Sequence, residues 1–220
     1  MSAPVGATGR VDDPNRARGV TDLVVSSREQ ERNAVSDNDD ALVEHIERHL
    51  GRIRGDAPGG SVAGDHAYSL VIHDHPEYDM VSVVTNGLRL RRVDARYGEE
   101  LVCSLQADQE PVARFLVDTL GAIVVDSGEG LEYGTVVQND QPLVPGTLIQ
   151  GVLATTHPFC DEEFNFYPAG TDEPQLQIIT LVPITLAECG YAEHEGADAL
   201  REIWAAQETD LLDVHRASTV

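Results

Sequence analysis

Nine consecutive residues, Leu176 to Ile184, read LQIITLVPI without a charged side chain. A nearly continuous apolar run of strand length is the pattern of a β-strand buried on both faces. The run passes directly into a helix start. Thr185-Leu-Ala-Glu188 places a hydroxyl three residues before a carboxylate, the capping box that satisfies the first free N–H groups of a helix. Gly196 then breaks the chain, and a second helical segment carries Leu200, Ile203 and Trp204 before the closing Leu211–Thr219. Nothing in this stretch has the character of catalytic machinery.

Upstream, the pattern alternates between strand and helix. Leu42, Val43, Ile46 and Leu50 share one helical face within Ala41–Leu50, with Asp39 and Asp40 as capping candidates and Gly51 as terminator. Residues 54–66, RGDAPGGSVAGDH, are dense in Gly, Pro and Asp and read as a loop. Strands are expected at Ala67–Asp74, Asp79–Thr85 and Glu100–Leu105, with Leu101, Cys103 and Leu105 sharing a face. Asn86-Gly87 is the strongest turn signal in the chain, because both residues tolerate positive φ. Pro111 suits a helix start, followed by the stripe Val112, Phe115, Leu116 and Leu120, with an end before Ser127-Gly128. Val144–Thr155 reads as extended. The sum is roughly six strands and four helices in mixed order, an α+β domain with a mixed sheet and packed helices. Residues 1–38 lack apolar periodicity and read as a disordered polar tail, which leaves 39–220 as the single domain.

Composition removes several functions. The formal net charge is −23 and all 15 basic residues are arginine. A chain without lysine has no P-loop lysine, no Schiff-base lysine and no kinase-type ATP lysine. The acidic excess opposes nucleic acid and anionic membranes as partners. The composition fits the solvated surface of a protein from a salt-loving cytoplasm, or a GC-rich genome that favours arginine codons over lysine, and no segment has the length of a membrane span or the pattern of a signal peptide. Cys103, Cys160 and Cys189 form no CxxC pair, so neither a zinc knuckle nor a disulfide framework is indicated.

Candidate sites are few. His73-Asp74-His75 sets two imidazoles two residues apart on a strand, where they could chelate a metal if His66, Glu77 or His157 supplied a third ligand. That would make a metal-dependent hydrolase, although a strand end with solvent-facing histidines explains the pattern as well. A GxSxG elbow is absent. Cys160 near His157 meets Asp161, Glu162 and Glu163, which disfavour a thiolate. Arg89, Arg91, Arg92 and Arg96 place four of the 15 arginines within eight residues, directly after the Asn86-Gly87 turn. Guanidinium forks so clustered can grip an acidic partner, or pair internally with Asp94, Glu99 and Glu100. Tyr78, Asn86, Arg89, Arg91 and Arg92 are therefore the expected protein-binding residues, since tyrosine and arginine commonly anchor interfaces.

An ordered set of segments resembles the suppressor of fused family: the helix Ala41–Gly51, the strand and turn Tyr78–Leu88, the strand Gly98–Gln106, the helix Pro111–Val125, the strand Gly146–Phe159, and above all Leu176–Trp204 with the closing Asp213–Thr219. Arg89 departs from the small polar residue that the family carries after its turn. The resemblance implies a non-enzymatic, cofactor-free domain that binds a protein or peptide partner, with immunity proteins that neutralise toxins among the microbial forms. In that family Glu188 would serve as a helix cap and Arg216 as an ion-pair partner.

Overall fold

A computed structural model describes residues 39–62 and 65–220. The expected tail, residues 1–38, lies outside them. Among the described residues there are four helices and eight strands. Helix α1 covers residues 39–50. The hairpin β1 (Arg52–Val62) and β2 (Asp65–Asp74) follows, then β3 (Met80–Asn86), β4 (Gly98–Gln106) and α2 (Glu110–Ser127). The second half holds β5 (Val136–Gln138), β6 (Ile149–Thr155), β7 (Phe166–Tyr167), β8 (Leu176–Thr185), α3 (Leu186–Glu195) and α4 (Ala197–Ala206).

The strands form one sheet in the order β1-β2-β3-β4-β8-β6-β5, with β7 also paired to β8. All pairings are antiparallel except β4 with β8. The sheet is thus mixed, with packed helices, as the sequence led us to expect. Every residue of β8 is buried. Ile179 and Leu181 point into the core beneath α2, together with Val83, Leu101, Cys103, Leu105, Leu116 and Leu120. Val182 and Ile184 point the other way, onto Cys189, Leu200 and Trp204 of α3 and α4. The apolar run is continuous because each face has its own helical layer to meet.

The C-terminus locks that second layer. The Thr185/Glu188 capping box is formed in full. Glu188 also accepts from Trp204 Nε1 (3.2 Å) and from both arms of Arg216, at 2.6 and 2.9 Å. Thr219 Oγ1 adds a further donor at 2.8 Å, and Arg216 Nη2 donates to the Pro183 carbonyl at 3.1 Å. Burial pushes this carboxyl up, but the Arg216 guanidinium and the Thr185 N–H outweigh it, and the group sits below its ordinary value.

Several expectations need correction. Asp39 and Asp40 are already helical, so they do not cap α1 from outside. Residues 54–62 belong to β1 and are not loop. Among the described residues β1 is an edge strand, and it tolerates Pro58 because one side of its backbone meets no other described strand. Its glycines make room for a ring: a Cβ on Gly59 or on Gly60 would lie 2.6 Å from Tyr68, and one on Gly121 of α2 would lie 2.5 Å from its hydroxyl. Tyr68 then donates to the Asp118 carbonyl at 2.9 Å, and Asp118 Oδ1 accepts the Gly60 N–H at 2.8 Å. Phe115 is half exposed, and the buried stripe of α2 is Ala113, Leu116, Val117, Leu120 and Val124. Residues 144–148 form a turn before β6.

Candidate functional site

Strand β3 ends at Asn86, and Gly87 takes φ +103°, a left-handed value that glycine adopts without steric cost. One tight turn, Leu88–Leu90, follows. It is wrapped around the side chain of Glu100 from the adjacent strand β4. That carboxylate accepts the backbone N–H groups of Gly87 (2.9 Å), Leu88 (3.2 Å) and Arg89 (3.4 Å), and the Thr85 hydroxyl at 2.6 Å. Arg89 Nη1 completes the set at 2.6 Å and also reaches Asn86 Oδ1 at 3.1 Å. Glu100 is 0 % exposed, and burial pushes its carboxyl up, against the pull of Thr85 and Arg89. Arg89 and Asn86 therefore build the turn, in line with the internal pairing weighed from the sequence.

The connection from the turn to β4 walls an open cavity of about 490 Å³. Arg89, Arg91 and Arg96 line it with Tyr97, over Leu88 and Val93, and Pro174 and Gln175 close the far side. The Arg96 guanidinium lies 5.1 Å from the centre of the Tyr97 ring, and that ring meets Phe166 edge-on at 6.1 Å. Glu99 lies between this cavity and a neighbouring one of about 300 Å³ that Tyr133, Phe166 and Gln177 share. Buried, Glu99 accepts from Gln177 Nε2 (2.7 Å) and the Leu131 N–H (3.1 Å), and burial pushes its carboxyl up.

The five expected binding residues are not all together. Arg89 and Arg91 line the cavity, Asn86 braces Arg89, and Arg92 is exposed on the same connection without lining it. Tyr78 is at the opposite end of β3, roughly 20 Å away at the rise of an extended chain. It packs on His75 at 4.7 Å and takes no part in the arginine site. Tyr97 and Arg96 stand where Tyr78 was expected. The signal was available, since Arg96-Tyr97 immediately precedes β4.

The two candidate metal-binding histidines have other work. β2 ends at Asp74, so His75 lies in the turn beyond it. His73 is buried, with Nδ1 donating to the Gly51 carbonyl at 3.0 Å, and burial lowers its pKa. His75 Nδ1 accepts the N–H groups of Glu77 and Tyr78, both at 3.2 Å. Among the described residues, no group of three or more His, Cys, Asp or Glu is placed to hold a metal. The side chain of His66, one of the third ligands weighed, lies outside that description.

One buried constellation escaped the sequence reading. His157 Nε2 lies 2.9 Å from Ser104 Oγ, which lies 2.7 Å from Ser82 Oγ. The pair looks like a nucleophile and its base, but the tautomer is wrong. His157 Nδ1 accepts the Phe159 N–H (3.3 Å), so Nε2 carries the proton and donates to Ser104. Burial holds this imidazole down at about 3. Cys160 is likewise no thiolate, since burial and then Asp161 push it up to about 12.

These features define an α+β domain with one two-sided buried strand and an arginine-walled surface cavity. The family model described as suppressor of fused protein matches residues 64–217, and the chain belongs to that family. A suppressor of fused homologue from Neisseria gonorrhoeae is 16% identical and aligns over 84% of this chain and 98% of its own, with TM-score 0.60. A chain of the Sufu–Fu complex is 13% identical, over 83% of this chain and 92% of that one, with TM-score 0.59. Drosophila Suppressor of Fused, 14% identical, aligns over 69% of this chain and 42% of that one with TM-score 0.50. At such identities these structures share the fold. No curated protein matches the chain. Among the described residues, no helix is long and apolar enough to cross a membrane.

Proposed function

We propose that this chain is a non-enzymatic domain that binds a protein or peptide partner, and that the arginine-walled cavity after β3 is where an acidic segment of that partner docks. The observation that carries this reading is the placement of charge. A chain of net charge −23 directs three of its 15 arginines to one cavity, beside a tyrosine. Guanidinium forks pair carboxylates with two parallel hydrogen bonds, and aromatic–arginine combinations commonly dominate binding energy. Elsewhere the acidic surface repels an acidic segment, so the cavity also sets its orientation. One relative in fold was solved as a Sufu–Fu complex, which supports a binding role. The buried Ser104–His157 pair has the tautomer of a structural bond, which supports a role other than catalysis.

Panning a displayed random-peptide library against the full chain tests this. Enriched peptides should carry carboxylates. Their affinity should fall about tenfold in an Arg91→Ala/Arg96→Ala variant, the loss of one good anchor, with an unchanged melting temperature. Enriched peptides that bind the double variant as tightly as the parent would end this reading.

A further inference from the structure

A second open cavity, of about 620 Å³, runs between α4 and the segment that follows β6. Its construction differs from a chance surface dent. The segment is pinned from within: the His157 N–H donates to Asn165 Oδ1 at 2.9 Å, and the His157 ring is bonded to Ser104 and to the Phe159 N–H. Asn165 Nδ2 in turn reaches the carbonyls of Asp161 (3.4 Å) and Glu162 (3.3 Å), and Phe164 is fully buried against the His157 ring at 5.2 Å. Anchored on both sides, the chain nevertheless leaves Phe159 51 % exposed on the cavity wall. The bond to its N–H and the edge-on contact with the His157 ring hold that apolar surface in a fixed position on the cavity wall.

The facing wall is α4 and the turn after it. Ala205 is exposed there, the buried Trp204 and Leu211 lie at the cavity floor, and Asp198, Glu202 and Glu208 supply carboxylates. Arg201 is the cation among the lining residues, and it pairs with Asp198 at 3.5 Å. Glu208 has φ +50°, a left-handed conformation at a helix end that favours glycine. The chain places a carboxylate there instead, on the rim of the cavity.

We propose that this groove binds a cationic segment of a partner protein, with one apolar side chain seated against Phe159 and Ala205, above the buried Trp204, and flanking arginine or lysine residues on Glu202 and Glu208. Charge complementarity selects that occupant. A second copy of this chain is a poor one, since it carries no lysine and a net charge of −23. The inference is independent of the arginine cavity.

Trp204 is the chain's single tryptophan and lies at the cavity, so an emission change on binding is assigned to one position. The probe is a synthetic 15-residue peptide with one central leucine, flanking arginines and no aromatic residue. Controls are the same peptide with the leucine changed to serine, and one with its arginines changed to glutamate. Saturable change in Trp204 emission is expected for the first peptide only. Its affinity should fall roughly tenfold or more in Phe159→Ser, which leaves the charge untouched, and in Glu202→Lys/Glu208→Lys, but not in the exposed control Glu129→Lys. Equal binding of the serine peptide, or no loss in Phe159→Ser, would reduce the effect to unspecific attraction and overturn the proposal. Sedimentation showing a dimer that Phe159→Ser dissolves would assign the groove to a second copy and overturn it as well. A glutamate peptide bound at the arginine cavity leaves Trp204 emission unchanged, so the two sites fail separately.

Discussion

Glu100 and Glu188 are each 0 % exposed, and each is bonded to an arginine. Around Glu188 the guanidinium of Arg216 meets both carboxylate oxygens, and the arginine side chain is itself only 6 % exposed. Around Glu100 the Arg89 side chain, donating through Nη1, is 14 % exposed, and backbone N–H groups supply three further donors. One pair is sealed into the fold and ties the C-terminus to β8 and α4. The other holds a loop whose outer side faces solvent at the arginine cavity. The same residue types thus give a lock in one region and a frame in the other, according to how far the cation is withdrawn from water.

The sharpest way to break the comparison is to remove each arginine. Arg216→Ala strands a fully buried carboxylate and should cost about 3–5 kcal/mol in urea unfolding. Glu100→Ala comes next, at about 2–3 kcal/mol, because it deprives three backbone donors of their acceptor. Hydrogen exchange should then accelerate at the amides of Gly87, Leu88 and Arg89 while α3 stays protected. Arg89→Ala should cost about 1–2 kcal/mol, since Glu100 keeps Thr85 and the backbone donors. A loss in Arg89→Ala as large as in Arg216→Ala would erase the distinction.

The two carboxylates should also respond oppositely to pH. Glu188 lies below its ordinary value of 4.5, so its contribution is complete above 4.5 and is lost as pH falls through the folded value. Glu100 lies above 4.5, so its contribution is complete below 4.5 and is lost as pH rises through its folded value. Urea midpoints across the acid range should therefore show Glu188→Gln flattening the acid-side loss. Glu100→Gln should flatten the decline on the other side.

The sequence disclosed the parts of this molecule that are local. Leu176–Ile184 announced a strand with two covered faces, and Thr185 and Glu188 announced the helix that follows it. The clean alternation of Leu101, Cys103 and Leu105 placed β4 correctly. Hidden were features set by partners distant in sequence. Gly59 and Gly60 looked like loop residues because the ring they accommodate, Tyr68, belongs to another strand. Phe115 kept helical spacing with Leu116 and Leu120 yet faces outward, because the sheet covers the side marked by Ala113 and Val117. In the candidate site, the arginine cluster was visible, but its division of labour was not. Glu100 selects Arg89 as its partner through register across β3 and β4, which the local sequence does not encode. Tyr78 was assigned to the cluster on residue type alone, and the length of β3 removes it.

The most direct test of the binding claim is an amide-shift map by NMR. ¹⁵N-labelled full chain would be titrated with the most enriched acidic peptide from panning. The account predicts shifts concentrated in residues 87–98 and at Gln175, and their loss in Arg91→Ala/Arg96→Ala at the same peptide concentration. Shifts that avoid this region, or that persist undiminished in the double variant, would contradict it.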